Sequence, residues 1–412
     1  MKFNFINIFI AILLSITNNL VAQQQQPISL DEAITIALEN NAKLRYETKN
    51  VQYQQALVNT AYNFKPTIVN AELGQFNSAY FDTGLGISQA FSLPKVYRMS
   101  AQANREQVKT AEAFLKLSEA EIRQQLDELF MEYSYLLAKE KLLISQDSLY
   151  NAFVLKSNIR WEKGESDVLE KTTAEQQKLN ISNQISMVKK MKDFLVLHLK
   201  WLLNDGLNYI PLTDDFSVLK YNILVDSMSV GRHPALIAFS QEIQAAKAYT
   251  QAEKTALLPE LNAGYRNVSI RGTGADNLVY QGGDRFSSFQ LGVGIPIFRK
   301  GIKAAIQSAE KMEEVKVSNY DAKRAEISAS IQQQWLLYNE TVNQLTLYEQ
   351  KALANASTIR RVSENQFASG QINYLEYVML VNQAISIESE YLELKRNLNT
   401  HIINLYYLTS NN

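Results

Sequence analysis

Hydrophobic periodicity along this chain switches between two regimes. In RFSSFQLGVGIPIF the residues Phe289, Leu291, Val293 and Ile295 fall on one face of an extended strand, while Gln290, Gly292 and Gly294 fall on the other. The same alternation runs through Val69, Ala71 and Leu73, through GISQAFS ahead of Pro94, and through Leu261, Ala263 and Tyr265. Beyond Pro94 and beyond Pro296 the period lengthens. Residues 95–163 and 302–369 contain neither Gly nor Pro, and apolar positions such as Ile122, Leu126, Leu129, Phe130, Tyr133, Leu136, Leu137 and Leu143 recur at steps of three, four or more. That is the stripe of helices packed side by side. At ~1.5 Å per residue such a helix runs for roughly 100 Å, too long to sit inside a compact domain. It requires coiled-coil neighbours along its length.

The chain makes this strand-to-helix change twice. NNAKLRYE near Leu44 is answered by RHPALIAF near Leu236, Pro66 in NFKPTIVNAEL by Pro259 in ALLPELNAGY, Pro94 by Pro296, and Gly164 by Gly370. Pro66 and Pro259 close a helix and open a strand, whereas Pro94 and Pro296 close a strand ahead of a helix. Around the two glycines, WEKGESDVLEKTTAEQQ and FASGQINYLEYVMLVNQ place an aromatic (Trp161, Phe367), a Leu (Leu169, Leu375), a Glu (Glu170, Glu376) and a Gln (Gln177, Gln383) at matching offsets. A Gly between two helical patterns is the expected cap and turn of a helical hairpin. Two internal repeats follow. The first spans 23–204, with strands at about 67–75 and 81–93 and a hairpin tip at Gly164. The second spans 231–412, with strands at about 260–270 and 284–296 and a tip at Gly370; residues 205–230 link them.

Composition removes several function classes. Basic and acidic residues number 41 and 42 with no basic block, so the electrostatic footprint of a nucleic-acid binder is absent. There is no Cys, which excludes a disulfide framework, a thiolate metal site, a Cys nucleophile and a lipid-bearing N-terminal Cys. His198, His233 and His401 are scattered, no Gly-rich phosphate loop follows a strand, and no His/Glu helix motif occurs. No catalysis, metal or cofactor is expected. TGADNLVYQGG lies between two strands and reads as a surface loop. The N-terminus, MKFNFINIFIAILLSITNNLVA, has the layout of a signal peptide over residues 1–22. No later apolar run reaches the ~20 residues of a spanning helix.

Four amphipathic strands with a Gly-rich second face suit a membrane barrel with water inside better than a soluble sheet. Their two open edges require several chains to close it. Here LPELNAGYRN, VGIPIFRKG and GQINYLEYVMLVNQ resemble the outer-membrane efflux factor family typified by TolC, across nearly the whole mature chain. The resemblance implies a mainly α fold with a membrane β-barrel. It implies a homotrimer in outer-membrane lipid whose chains each give four strands to a twelve-stranded barrel. Long helical hairpins would form a periplasmic α-barrel, with an equatorial collar that includes NDGLNYIPLTDDFSVLKYN. Such a trimer is a passive exit duct, served by a periplasmic adaptor and an inner-membrane resistance-nodulation-division pump. FNSAYFDTGLGISQAF and LEKTTAEQQ look like the branch serving heavy-metal pumps, so the cargo would be heavy-metal cations or drugs.

By the same resemblance, the tips at Gly164 and Gly370 contact the adaptor and draw together as a gate. Glu376 matches a family position where a carboxylate can line the constriction; the alternative is a solvated Glu in a helix-side ion pair. Glu170 is a gate candidate through the repeat, with the solvated ion pair as its leading alternative. Met379 either packs in the core or faces the same lumen, where a thioether can contact soft cations. The chain departs from the family at Asn41-Ala42, where members often have Asn-Pro; His233-Pro234 keeps the pair and reads as a helix start. Without an N-terminal lipid, anchoring would rest on the barrel. A secreted coiled-coil adhesin or scaffold would share the long helices but has no use for Gly-tipped hairpins and amphipathic strand pairs.

Overall fold

The computed structural model describes residues 26–165, 167–221 and 230–409, and it is mainly helical. The expected signal peptide, residues 1–22, lies outside the described residues. Eight α-helices are described: α1 (Leu30–Asn40), α2 (Ala42–Val58), α3 (Pro94–Glu162), α4 (Val168–Leu203), α5 (Pro234–Lys254), α6 (Lys300–Leu347), α7 (Leu353–Ala368) and α8 (Tyr374–Thr409). Eight strands accompany them: β1 (Gln26–Ile28), β2 (Ile68–Gly74), β3 (Asp82–Ser92), β4 (Tyr209–Pro211), β5 (Glu260–Ser269), β6 (Gly272–Thr273), β7 (Val279–Tyr280) and β8 (Arg285–Gly294). The chain divides into two compact units, one of Tyr46–Leu117 with Pro234–Ala325, the other of the remaining segments.

The first of these units holds an antiparallel sheet in the order β2-β3-β5-β8. Pro66 and Pro259 precede β2 and β5, and Pro296 follows β8. Pro94 is the first residue of α3, where its missing N–H is one the helix would leave unpaired anyway. Register sorts the two faces. Val69, Ile87, Tyr265 and Phe289 stand in one row across all four strands, and Phe91, Leu261 and Val293 stand in another on the same face. The opposite face carries the row Asn70, Gly86, Arg266 and Ser288, and the row Ile68, Ser88, Gly264 and Gln290. The apolar face is uncovered: Val69, Phe289 and Leu291 are 73%, 84% and 90% exposed. Among the described residues, neither β2 nor β8 has a further strand on its outer edge.

Sequence TGADNLVYQGG is more ordered than a plain loop. Its ends form the small hairpin β6–β7, with Asn277 at φ 61° and the Tyr280 hydroxyl donating to Asp276 at 2.6 Å.

The second unit is helical, with a small parallel pairing of β1 on β4. Asn41 takes the place of the Asn-Pro pair by side-chain chemistry. Its carboxamide accepts from Lys43 N at 2.9 Å and donates to Leu202 O at 2.8 Å, which starts α2 and ties it to the end of α4. The described part of the linker lies across α8. Asn399, fully buried, accepts from Leu219 N and donates to Ser217 O, both at 2.8 Å. Beneath it Leu345, Leu398 and Ile402 pack with Val218, Leu219 and Tyr221.

The helix expected over 302–369 is interrupted. A π-helical turn at Tyr348–Ala352 joins α6 to α7, whereas α3 is continuous over its 69 residues. Beside that turn the Tyr348 hydroxyl donates to Glu390 at 2.6 Å and the Tyr391 hydroxyl donates to Glu349 at 2.9 Å. These reciprocal bonds hold the wider turn against α8, and no Gly or Pro marks it.

Candidate functional site

Both glycine tips are built alike. Gly164 and Gly370 each have φ 72°, in the left-handed region that glycine adopts without strain. Gly164 N donates to Trp161 O at 2.9 Å and Glu165 N to Arg160 O at 2.8 Å; Gly370 N donates to Phe367 O at 3.1 Å and Gln371 N to Gln366 O at 2.8 Å. These are paired closing bonds that satisfy the last carbonyls of α3 and α7. Three residues past each glycine stands a cap. Asp167 accepts from Glu170 N at 3.0 Å, and Asn373 accepts from Glu376 N at 2.9 Å. The matching offset of Glu170 and Glu376 thus marks the third position of a helix. By sequence both are gate candidates, and the signal that marks Asp167 and Asn373 is Asp/Asn followed three residues later by Glu, a helix-start signature.

From that shared position the two carboxylates diverge. Glu376 is exposed and folds back on its own helix start, accepting from Asn373 N at 2.9 Å in a complete capping box. Glu170 is only 7% exposed and faces Arg160, 3.3 Å away. The expected ion pair is therefore present at Glu170, but on a buried face rather than a solvated one. Burial pushes its carboxyl above the usual range, the Arg160 charge pulls it back, and Asp167 adds to the rise. Met379 is 66% exposed, so the core-packing expectation is corrected for this residue within the described chain.

Aromatic side chains join the first hairpin to the second near the tips. Phe153 of α3 meets Tyr374 at 5.8 Å and Tyr377 at 5.2 Å between ring centroids, and Phe367 stacks on Tyr377 at 4.6 Å. Tyr374 is almost wholly buried, and Tyr150 donates to Asn382 on α8. Burial raises the Tyr150 hydroxyl to about 12, so it stays a neutral donor. Of this cluster only Phe367 stands out in the sequence, as a repeat position, because the partners lie far apart in the chain.

The histidines take separate, local roles. His198 lies between Phe194 and Trp201, His233 packs against Tyr407 ahead of α5, and His401 bonds Gln334 at 2.9 Å. Among the described residues no group of His, Cys, Asp and Glu is arranged to hold a metal ion, and no helix is long and apolar enough to cross a membrane.

Known proteins share this architecture. The family model described as Outer membrane efflux protein matches residues 227–411. No curated protein sequence matches the chain. Among solved structures, CusC, described in terms of conformational changes accompanying folding and transmembrane channel formation, has a TM-score of 0.74 at 18% identity, over 92% of this chain and 91% of that one. The CmeC outer membrane channel of Campylobacter jejuni has a TM-score of 0.75 at 15% identity, over 92% and 85%. The open state of the MtrE outer membrane channel of Neisseria gonorrhoeae has a TM-score of 0.71 at 16% identity, over 92% and 88%. Residues 227–411 thus match the outer membrane efflux protein family by sequence, and the fold of the chain is similar to that of these TolC-like outer-membrane channels.

Proposed function

We propose that three copies of this chain form a passive exit duct through a bacterial outer membrane, fed by an inner-membrane pump through a periplasmic adaptor. The observation that carries this reading is the four-stranded sheet. Its apolar face is exposed, its other face is polar and Gly-rich, and both edges are unpaired. An uncovered apolar sheet with open edges is an aggregation hazard in water and is intolerable in lipid. In a four-stranded antiparallel sheet the outer strands run in opposite directions, so β8 of one copy can pair antiparallel with β2 of the next. Head-to-tail repetition then closes a ring with lipid outside and water inside. An adhesin or scaffold offers no cover for that face.

The capped tips are the ends offered to the adaptor. Exposed Leu155, Ile159, Val168 and Leu169 around the first tip supply apolar surface for docking. Glu376 and Met379, both exposed at the second tip, are the candidate gate residues, and threefold repetition would set three carboxylates around the axis. Glu170, buried beside Arg160, serves the hairpin rather than the lumen. The cargo is set by the pump. The stretches around Phe76–Phe91 and Leu169–Gln177 favour the heavy-metal branch, so metal cations are the first substrates to test. Assembly is tested by light scattering of the detergent-solubilised protein, corrected for bound detergent: a trimer mass is expected, and a stable folded monomer would overturn the proposal.

A further inference from the structure

The polar face of the sheet carries an ion pair that crosses a strand. Arg266 on β5 reaches over β3 to Glu72 on β2. It can do so because β3 has no side chains in the way. Gly86 lies directly between Asn70 and Arg266 in the register, and Gly84 lies beside Glu72. A Cβ at Gly84 would meet Val268 Cγ1 at 3.2 Å, Phe76 Cζ at 3.4 Å and Glu72 Cβ at 3.5 Å, and one at Gly86 would collide with the Asn70 amide. The Phe76 ring folds back over Gly84, and the Arg266 guanidinium stands 5.9 Å from its centroid. Near the other end of the same face, Lys65 pairs with Glu260 at 2.5 Å.

Stability does not account for this arrangement. The Arg266 and Glu72 side chains are 33% and 40% exposed, and exposed pairs contribute little. Glycine within a strand also weakens it. The chain gives up strand stability to let two opposite charges meet across a gap.

We infer that the bore of the proposed barrel is held charge-neutral by the Arg266–Glu72 and Lys65–Glu260 pairs, so that cations and anions leave through it without discrimination. The inference rests on the exit-duct reading above and deepens it: sorting by charge is left to the pump and the entrance. Of the other acidic groups in the strands, Asp82 is fully buried at the loop end and accepts from Ser78 at 2.8 Å and from Ser269 and Arg271 N at 3.1 Å each. These neutral donors hold it as a covered carboxylate at the loop end, outside the row that carries Arg266. The other residues that the register puts on this face, among them Ile68, Asn70, Ser88, Asn262, Val268 and Gln290, are neutral.

Because the chain has no Cys, one introduced thiol reports the local potential. Ser288 is the direct cross-strand neighbour of Arg266. Ser288→Cys protein in lipid nanodiscs is reacted with a cationic and an anionic methanethiosulfonate at ~10 mM salt, where screening extends ~30 Å. The expected cation-to-anion rate ratio matches that of a small free thiol. A unit charge about 6 Å away in water changes the local activity of a charged reagent roughly threefold. Adding Glu72→Gln should therefore shift the ratio about five- to tenfold toward the anionic reagent. Arg266→Gln should shift it as far toward the cationic one, and the double variant should restore it. If Arg266→Gln does not assemble, Glu72→Gln alone decides. Equal ratios in all variants, or a strongly biased ratio in the Ser288→Cys parent, overturn charge balance while leaving the duct standing. A Ser288→Cys thiol that reacts with neither reagent, beside a reactive Phe289→Cys thiol, would instead overturn the assignment of this face to the bore.

Discussion

Substituting Gly370 separates two reasons a turn can require glycine, lack of space and left-handed backbone. Its φ is 72°, and an added Cβ would find no heavy atom within 4 Å. Space is therefore not the constraint. A left-handed conformation costs an ordinary L-residue roughly 1–2 kcal/mol, and Asn, whose short polar side chain bonds locally, tolerates it better. Gly370→Ala should weaken the closed turn by about that amount, which multiplies the population of opened turns by roughly 5–30. The reporter is the Gln371 amide, whose N–H donates to Gln366 O at 2.8 Å. Its hydrogen exchange should accelerate by the same factor. Gly370→Asn should accelerate it less than Ala despite the larger side chain, and Gly370→Val most, because β-branching adds to the strain. The same order is expected at Gly164, read at the Glu165 amide. Exchange rates that instead rise with side-chain size, Ala below Asn, or that do not change at all, would refute the backbone argument.

Two further outcomes are expected at the tips. Burial holds the Glu170 carboxyl above its ordinary value, so the fold favours the protonated form more than the unfolded chain does. The resulting stability is fully present below the ordinary Glu value of ~4.3 and is lost as pH rises through the raised one. Thermal stability of the assembly should fall across that interval in wild type, and Glu170→Gln should flatten that part of the profile; an unchanged profile would remove Glu170 from the account. Glu376→Gln keeps an oxygen able to accept from Asn373 N, so the helix start survives while the charge is lost. In planar bilayers the wild-type channel is expected to be cation-selective at this ring of carboxylates and to be blocked by trivalent cations, and both properties should weaken in the variant; identical behaviour would leave Glu376 with its capping role alone.

Strand ends were legible because they are written locally. The expected 81–93 and 260–270 became Asp82–Ser92 and Glu260–Ser269, since alternation and flanking prolines bound each strand. The tips were legible for the same reason. The π-turn was not, because Tyr348–Ala352 contains nothing that differs from ordinary helical sequence. Its tyrosine bonds depend on α8 lying alongside, which only the assembled hairpin supplies. Asn399 and Tyr374 escaped notice likewise. Each is buried by a segment distant in the chain, so neither shows in any window short enough to read as a pattern.

The repeat shows how one local code is put to two uses. Gly, then Asp or Asn, then Glu shapes the same turn and helix start in each half, and at that level Glu170 and Glu376 are equivalent. Among the differences between the repeats is the residue four places before the glycine, Arg160 in the first and Gln366 in the second. A guanidinium can hold a carboxylate out of solvent by its charge, and Glu170 lies 3.3 Å from that of Arg160. A neutral Gln offers no such charge, so Glu376 instead accepts from its own Asn373 and remains exposed. The first tip's carboxylate thus pairs with Arg160 on a buried face, and the second tip's stays at the surface. Only a carboxylate that stays in solvent can act on a passing ion. For the gate proposed above, the difference between the two tips is therefore a matter of Arg160 as much as of Glu376.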